Sequence, residues 1–357
     1  MSGVGQSTLV IVLPGLSTTV QDFGRLGWQR FGVPVSGALD RVALTAANIV
    51  VGNGSGEAGL ECLYQGCEVE IAGESARLAV AGAGASIEVR DGDGGGARLV
   101  PSLESVTVQR GQRVRVKMAG PSISAYLAVE GGFAIAPVLG SKSTFVRAAL
   151  GGFAGRALRA GDALGLVAEV ALEREERRLE GVGLEPASVL RIVPGPQDDH
   201  FVDGTLERIA AEAYTVRAAS DRMGLRLAGA KLAHKIGADI VSDGIAPGAI
   251  QVPGDGWPII MLADRQTTGG YTKIATVASA DLPALGRVGP GAVLRFEIVD
   301  VEAAEAAARA LAAEIAAWPG RLVPAGGGDW RYRLYEANLI SGVTDGTACS
   351  GAGVSRS

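Results

Sequence analysis

AIQVPGDGWPIIML, residues 249–262, contains two short apolar runs, 249–252 and 259–262, separated by a turn rich in Pro and Gly. Short apolar runs bounded by turn residues are typical of β-strands in sandwiches and barrels. Similar runs recur along the chain, at 8–13, 68–72, 76–80, 86–90, 113–117, 125–129, 189–193 and 293–299. The sequence therefore predicts a mainly β protein.

Three segments have the periodicity of a helix instead. Residues 40–51 place apolar side chains at helical spacing after Asp40, a residue type that caps helix N-termini. Residues 201–212 are a second candidate. Residues 301–318 are rich in Ala and end at Pro319-Gly320, which predicts a C-terminal helix that stops there. The helices are expected to be few and short.

The length of 357 residues predicts two domains, since domains commonly have about 100–200 residues. The charged, Gly-interrupted stretch 169–185 separates two strand-rich halves and is the best candidate for a boundary. We expect an N-terminal β domain at 1–185, a C-terminal β domain at 186–300, the helix at 301–318 and a partly disordered tail at 319–357.

The two halves share a weak internal similarity. Residues 60–66 and 250–256 align without a gap, and the pattern Asp-Arg-x-x-Leu precedes each, at 40–44 and 221–225. Duplication of a β domain would explain this similarity, and so would chance, because Gly-rich β sequences resemble one another easily.

Composition excludes several functional classes. The net charge is −5 and basic residues do not cluster with aromatic ones, which argues against a nucleic-acid partner. An apolar run of about 18 residues, the length that a membrane span needs, is not found. A basic, apolar leader is not visible either, so we expect a soluble, cytoplasmic protein.

Cysteine and histidine are scarce. The three cysteines, Cys62, Cys67 and Cys349, are too few and too uneven for a disulfide framework, which suits a reducing compartment. His200 and His234 lie far from the cysteines in sequence, so the pattern predicts no metal site built from Cys and His.

The densest polar block is ADRQTTGGYTKIA, residues 263–275, which follows an apolar strand. Arg265 is suited to bind a carboxylate or phosphate with two parallel hydrogen bonds. Hydroxyl groups beside two glycines allow side chains and backbone N–H groups to converge on an anion or an amide. The alternative is a hairpin with a polar turn. The candidates in this block are Asp264, Arg265, Gln266, Thr267, Thr268, Tyr271 and Lys273.

Two further blocks carry polar candidates. Residues 18–40 contain Asp22, Arg25, Ser36 and Asp40, and the alternative is a structural corner in which Asp22 caps the loop and Arg25 pairs with it. Residues 220–223 and 242–251 contain the carboxylates Asp221 and Asp243 and the amide Gln251. These carboxylates could serve a metal or general base, or could be ordinary loop acceptors.

Several common motifs are missing. A P-loop of the form G-x-x-x-x-G-K-[ST] does not occur, so a bound nucleotide would need another kind of site or a partner. Lys117 follows Val116, where a biotin-attachment hairpin has Met, so covalent biotin is not expected.

Five stretches resemble the biotin-dependent-carboxyltransferase-like family, and the resemblance covers roughly residues 8–300. The family includes subunits of 5-oxoprolinase and allophanate hydrolase and the carboxyltransferase part of urea carboxylase. The stretches are VQDFGRLGWQRFGVPVSGALDRVALTAANIVVGN (20–53), YLAVEGGFAIAPVLGSKSTFVRAALGGFAGRALRAGD (126–162), VPGPQDDHF (193–201), SDRMGLRLAG (220–229) and SDGIAPGAIQVPGDGWPIIMLADRQTTGGYTKIATVASADL (242–282).

The resemblance implies a fold of two tandem cyclophilin-like β-barrel domains. It implies the C subunit (KipA type) of an ATP-dependent 5-oxoprolinase, which would convert 5-oxo-L-proline to L-glutamate with two partners, a KipI-like B subunit plus a LamB/YcsF-like A subunit. ATP with Mg²⁺ would be the cofactor, shared with the partner subunit. The alternatives are a carboxyltransferase subunit of the allophanate hydrolase or urea carboxylase type, acting on another small amide, and a non-catalytic antagonist of a KipI-like kinase inhibitor.

The same implied function assigns roles to the polar blocks. Arg265 and Lys273 would bind a carboxylate or phosphate, and Asp264 or Asp221 would orient the substrate or hold Mg²⁺. Substrate-binding roles are predicted for Gln266, Thr267, Thr268, Tyr271, Gln251, Asp22, Arg25, Ser36 and Asp40. Two positions depart from the family pattern: Trp257 stands where a polar residue such as Gln is common, and Thr272 stands where Pro is common. We expect Trp257 to alter the pocket beside Asp264.

Overall fold

The computed structural model describes residues 7–92 and 96–325 as a mainly β chain. The strands are β1 Thr8–Leu13, β2 Ser17–Gln21, β3 Gly59–Leu63, β4 Glu68–Ile71, β5 Ser75–Ala81, β6 Ala85–Arg90, β7 Ala97–Pro101, β8 Ser105–Gln109, β9 Arg113–Met118, β10 Ser124–Val129, β11 Ala163–Gly165, β12 Arg177–Leu179, β13 Val189–Pro194, β14 Tyr214–Val216, β15 Gly224–Ala228, β16 Asp239–Gly244, β17 Ala249–Val252, β18 Ile259–Met261, β19 Thr268–Val277, β20 Val293–Ile298 and β21 Leu322–Pro324. The helices are α1 Arg41–Val51, α2 Thr205–Ala211, α3 Leu282–Leu285 and α4 Val301–Ala317, and short 3₁₀ turns form at Gln29–Phe31, Val146–Ala148, Asp198–His200 and Trp318–Arg321.

Two antiparallel sheets enclose the core of the N-terminal half. Their strand orders are β11-β1-β4-β9-β6-β7 and β2-β3-β10-β5-β8. Alternation along the strands decides which side chains face inward: Val114 and Val116 of β9 are buried, while Arg113 and Arg115 are exposed. Helix α1 covers the outer face of the second sheet, where Ala79, Ala81 and Ala128 are part of its buried apolar contact.

The C-terminal half is a closed barrel of seven strands in the order β13-β20-β14-β15-β18-β17-β19. Pairing of β13 with β19 closes the barrel, and β16 extends the sheet from β19 outside the ring. Strand β13 runs parallel to β20, and the remaining neighbours are antiparallel. Closure pairs the edges that an open sheet would expose. The two runs quoted first, β17 and β18, pair with each other inside this barrel.

A strap at the C-terminal end of the described chain returns to the N-terminal half. Trp318 is buried, and Leu322 of β21 lies opposite Leu179 of β12. The first residues of the predicted tail therefore form ordered structure, because they bring apolar side chains with them. Residues 326–357, the rest of that predicted tail, lie outside the described residues.

The predicted mainly β fold with a few short helices and a C-terminal helix is confirmed. Helix α2 begins at Thr205 rather than at residue 201, because Gly204 adopts a left-handed conformation and Phe201 forms a bridge with His234. Strands up to β11 belong to the two N-terminal sheets, β12 pairs with β21, and β13 is the first strand of the barrel. Within residues 7–92 and 96–325, none of the helices is long and apolar enough to cross a lipid bilayer.

Candidate functional site

Buried charges connect the two halves at their junction. Arg222 lies just before β15 and donates to both oxygens of Asp264, at 2.8 and 3.1 Å. It also donates to the carboxylate of Glu61 in β3. Its Nη2 also donates to the Gly37 carbonyl at 2.6 Å. Burial alone would lower the pKa of Arg222, but Glu61 and Asp264 outweigh that effect and raise its pKa above the ordinary value.

A second ion pair lies beside the first. Arg287 of the C-terminal half donates to Asp40 at 2.6 Å, while Asp40 also caps helix α1 through the N–H of Ala43. The Tyr126 hydroxyl joins the two pairs, since it donates to Glu61 at 2.7 Å and accepts from the Asp40 N–H at 2.8 Å. Buried ions are tolerated when they are paired and hydrogen-bonded, and these meet that condition.

Ser36 and Gly37 bring the N-terminal loop to this network. The Ser36 hydroxyl donates to Asp264 at 2.6 Å, and its backbone has a positive φ of 55°. Gly37 has a φ of 86°, and a Cβ there would lie 2.8 Å from the Gly24 nitrogen. Only glycine fits this close approach without strain, and it leaves the Gly37 carbonyl free to accept from Arg222.

Arg265 follows Asp264 in sequence but has entirely different partners. Its side chain is only 1% exposed, and it donates to the Ile245 carbonyl at 3.0 Å and the Leu262 carbonyl at 3.2 Å. The buried Nη2 has no hydrogen-bond partner. Burial, with a smaller contribution from the charge of Arg41, lowers the pKa of Arg265 to about 10. The guanidinium of Arg265 therefore remains a cation at neutral pH, and its Nη2 is a donor without a partner.

Arg265 lines a cavity of about 300 Å³ that we call the junction cavity, because residues of both halves form it. Its polar side chains are Gln29, Ser36, Arg41, Arg265 and Ser279. The remaining walls are mainly apolar, formed by Leu26, Val35, Ala38, Leu39, Pro247, Met261, Ala263, Leu262, Leu282 and Pro283. Among the described residues that line it, none is an Asp or Glu, so two arginines line a cavity that has no carboxylate.

The local structure strengthens the positive potential of the junction cavity. Arg41 is the first residue of α1, so its charge adds to the positive end of the helix dipole. It donates to the Phe23 carbonyl at 2.7 Å, and burial lowers its pKa. An anion bound here would meet two cations and a helix N-terminus, while the apolar walls would contact an uncharged ring.

Residues 31–298 match a family model described as "Carboxyltransferase domain, subdomain A and B". The chain belongs to this carboxyltransferase family. It is 35% identical to the 5-oxoprolinase C subunit of Haemophilus influenzae, over 80% of this chain and 89% of that protein.

Solved structures of related proteins show the same fold. Urea amidolyase of K. lactis is 27% identical with a TM-score of 0.79, covering 89% of this chain but 21% of that one. TTHA0988 is 33% identical with a TM-score of 0.73, covering 82% of this chain and 56% of that one. The present chain thus corresponds to only part of these longer polypeptides.

In this family member the side chains of the predicted polar block 263–275 do not converge on one site. Strand β19 begins at Thr268, so the two glycines lie in a strand paired with β16 and not in a turn. Thr267 and Thr268 lie beside β16, where the Thr267 carbonyl accepts from Ile245. Lys273 pairs with Asp243 at 2.9 Å, which lowers the pKa of that carboxyl.

The N-terminal candidates separate in the same way. Asp22 accepts from the Ser141 hydroxyl and from backbone N–H groups of Gly24 and Lys142, at 2.6 to 2.7 Å, and holds two loops together. Arg25 is 1% exposed and donates to the Ser143 carbonyl instead of pairing with Asp22. Both residues support the loop that presents Ser36 to the junction.

A second cavity, of about 380 Å³, contains most of the other candidates. We call it the barrel cavity, because all its lining residues except Arg147 come from the barrel half; they include Asp221, Gln251, Gln266 and Tyr271. Trp257 also lines this cavity, whereas Asp264 lines a third, mostly apolar one. The two cavities share Arg147, Asp221 and Met223, so the expectation that Trp257 alters the pocket beside Asp264 stays a prediction.

Sequence reasoning missed Arg41, Arg222, Glu61, Tyr126 and Arg287. The repeated Asp-Arg-x-x-Leu pattern was a usable signal, because its two arginines, Arg41 and Arg222, both reach the junction. The described residues contain no group of three or more His, Cys, Asp or Glu arranged to hold a metal ion.

Proposed function

We propose that this chain is the C subunit of an ATP-dependent 5-oxoprolinase and that the junction cavity binds 5-oxo-L-proline. The observation that carries the proposal is the buried, unpartnered Nη2 of Arg265 beside a cavity without a carboxylate. The similarity to the 5-oxoprolinase C subunit of H. influenzae over nearly its whole length supports it.

The substrate combines two features that this cavity complements. Its carboxylate is suited to Arg265 and Arg41, since guanidinium groups bind carboxylates with two parallel hydrogen bonds. Its saturated ring is suited to apolar walls such as Leu39, Leu262 and Leu282. Because an unpaired buried cation is costly, a carboxylate that enters the cavity replaces an unfavourable arrangement with a paired one.

The reaction must activate an unreactive lactam. ATP would supply the phosphoryl group that makes the lactam oxygen a leaving group, and the two partner chains would complete the site and the ring opening to L-glutamate. In this chain Arg265 and Arg41 would bind the carboxylate, and Ser36, held by Asp264, would face the ring. Asp264 would position Ser36 rather than hold Mg²⁺, because Arg222 and Ser36 already occupy both of its oxygens.

Urea-type carboxyl transfer is the second candidate, supported by the similarity to urea amidolyase of K. lactis. Urea has no carboxylate, so it would leave Arg265 unpaired. A purely regulatory role toward the KipI-like partner would leave the cavity without a substrate. The three candidates therefore differ in whether a carboxylate-bearing lactam drives turnover.

The test is reconstitution of the chain with its KipI-like and LamB/YcsF-like partners. We expect ATP hydrolysis and ring opening to glutamate to depend on 5-oxo-L-proline. With 2-pyrrolidinone, the same ring without a carboxylate, we expect ATP hydrolysis and ring opening to 4-aminobutyrate to be far slower. Arg265→Met is expected to lower kcat/KM by about 30- to 1000-fold, since a lost charge-assisted pair costs about 2–4 kcal/mol.

Arg309→Met is the matched control, because Arg309 is an exposed residue of α4 that does not line the cavity. It is expected to retain full activity. Turnover of urea but not of 5-oxo-L-proline would contradict the proposal. So would an Arg265→Met enzyme whose activity falls only in proportion to its unfolded fraction.

A further inference from the structure

The barrel cavity contains two arginines that face each other across a strand pair. Thr215 and Val216 of β14 pair with Ala228 and Leu227 of β15, and the Arg217 N–H continues that ladder by donating to the Arg226 carbonyl. Arg217 and Arg226 are therefore cross-strand neighbours, and both line the cavity. Like charges directly opposite each other destabilise a strand pair unless something lies between them.

The carboxylates of this cavity do not neutralise that pair. Asp221 accepts from the backbone N–H groups of Met223 and Gly224 and from the exposed Arg147. Asp255 accepts from the Trp257 N–H. In the described part of the chain, neither Arg217 nor Arg226 forms an ion pair with a carboxylate.

Trp257 orients one of the two arginines. The Arg217 guanidinium lies 4.6 Å from the centre of the Trp257 ring, whereas Lys231, which does not line the cavity, lies 5.2 Å from it. A guanidinium stacked on an indole ring loses little further freedom when its edge binds an anion. Trp257 therefore positions Arg217 at the cavity.

A buried donor completes the polar lining. Gln251 is 2% exposed, lines the cavity, and its Nε2 has no hydrogen-bond partner. An unpartnered buried amide is costly, so an acceptor atom of a ligand at this place would remove that cost. The remaining walls are mainly apolar and include Met223, Leu227, Pro253, Pro258, Ile259 and Met261.

We propose that the barrel cavity binds the phosphate chain of a nucleoside di- or triphosphate, with Arg217 and Arg226 as phosphate ligands and Gln251 as a further donor. Neither Asp221 nor Asp255 pairs with these two facing cations, and two unpaired cations match a multiply charged anion better than a single carboxylate. Met261 lines both cavities, so the two ligands would lie on either side of one residue. The choice of a nucleotide rests on the proposed function, which requires ATP.

Binding to the full-length chain alone tests the proposal, by titration calorimetry with tripolyphosphate, ATP, ADP and AMP. We expect Arg217→Met and Arg226→Met each to raise the Kd for tripolyphosphate and ATP by about tenfold or more, the effect of one lost charge-assisted contact. Arg295→Met is the control, because Arg295 is exposed on β20 of the same barrel and does not line the cavity. It should bind like the wild type.

Trp257 has its own test as a positioning residue. Trp257→Ala should weaken tripolyphosphate binding, and Trp257→Phe should restore it, because a phenyl ring still stacks on Arg217. Equal weakening in both variants would show that the ring does not act through Arg217.

Several results would overturn the phosphate site: no binding of ATP or tripolyphosphate, AMP binding as tightly as ATP, or equal binding by wild type and Arg217→Met. Displacement of tripolyphosphate by 5-oxo-L-proline would assign the barrel cavity to the lactam instead. These binding measurements on the chain alone do not depend on turnover by the reconstituted complex. If the reconstituted complex ignores 5-oxo-L-proline while tripolyphosphate binding still depends on Arg217, the oxoprolinase assignment fails and the phosphate site stands.

Discussion

Arg222 and Arg265 both lie at the junction of the two halves, 11% and 1% exposed, yet their surroundings differ. Arg222 contacts two carboxylates, Glu61 and Asp264, and its pKa is raised. Arg265 contacts two backbone carbonyls, has one unpartnered nitrogen, and its pKa is lowered to about 10. The same type of side chain thus has two different environments at one junction.

The difference shows how to separate a structural charge from a binding charge. A buried cation that is fully paired contributes to folding, because removal of one partner leaves the others uncompensated. A buried cation that contacts only backbone carbonyls raises the free energy of the folded state, and binding of an anion can offset that cost. Arg222 belongs to the first kind and Arg265 to the second.

Arg222→Met should have the largest effect on stability. It leaves Glu61 and Asp264 as buried carboxylates without their cation, which costs about 3–5 kcal/mol. Chemical denaturation of the isolated chain measures the loss. Arg265→Met, by contrast, should change the free energy of unfolding by less than about 1.5 kcal/mol, the range of volume-conserving replacements in a core.

The exposed Arg309→Met provides the baseline for both variants, with an expected change of about 0–1 kcal/mol. A larger loss for Arg265→Met than for Arg222→Met would break the comparison and make Arg265 the structural residue. If Arg222→Met fails to fold, the double variant with Glu61→Gln should recover part of the stability, because it removes one of the stranded charges.

The strand pattern made much of the fold predictable. The runs at 8–13 and 249–252 coincide with β1 and β17, and Asp40 caps α1 as its residue type predicted. Strands such as β16 and β19 were missed, because polar side chains and glycines hide the alternation that identifies a strand. Closure of the barrel between β13 and β19 pairs segments too distant for a local pattern to reveal.

The candidate site was harder to predict, because sequence neighbours point into different cavities. Arg265 lines the junction cavity while Gln266 lines the barrel cavity. Arg265 pairs with neither Asp264, its neighbour in sequence, nor Asp40. The structure pairs those carboxylates with Arg222 and Arg287 instead, and both arginines lie many residues from the carboxylates they contact.

Two buried tyrosines extend the comparison to neutral groups. The Tyr126 hydroxyl has two partners, Glu61 and the Asp40 N–H. Tyr126→Phe should therefore cost about 1–3 kcal/mol, since it leaves the buried Asp40 N–H without an acceptor. Denaturation at neutral pH measures this loss. A change no larger than that of Arg309→Met would mean that water or a rearranged side chain replaces the hydroxyl.

Tyr214 is the unpartnered counterpart, and its removal should have the smallest effect at neutral pH. It is fully buried in the barrel core, and its hydroxyl has no hydrogen-bond partner among the described residues. Tyr214→Phe removes a buried polar atom without breaking a bond, so stability should stay within about 0.5 kcal/mol or rise slightly. A loss as large as that of Tyr126→Phe would show that the hydroxyl has a partner.

At alkaline pH, Tyr214→Phe should become more stable than the wild type, although the two differ little at neutral pH. Burial, with a smaller effect from Glu212, raises its pKa to about 12, whereas an unfolded tyrosine titrates near about 10. Between these values the unfolded chain has lost a proton that the folded chain keeps, so the wild type loses stability as pH rises. Tyr214→Phe lacks this group and should gain on the wild type by up to about 1.4 kcal/mol per pH unit above pH 10. Unfolding curves of the two proteins from pH 8 to 11 measure that gain, and parallel curves throughout would place the Tyr214 pKa at its ordinary value.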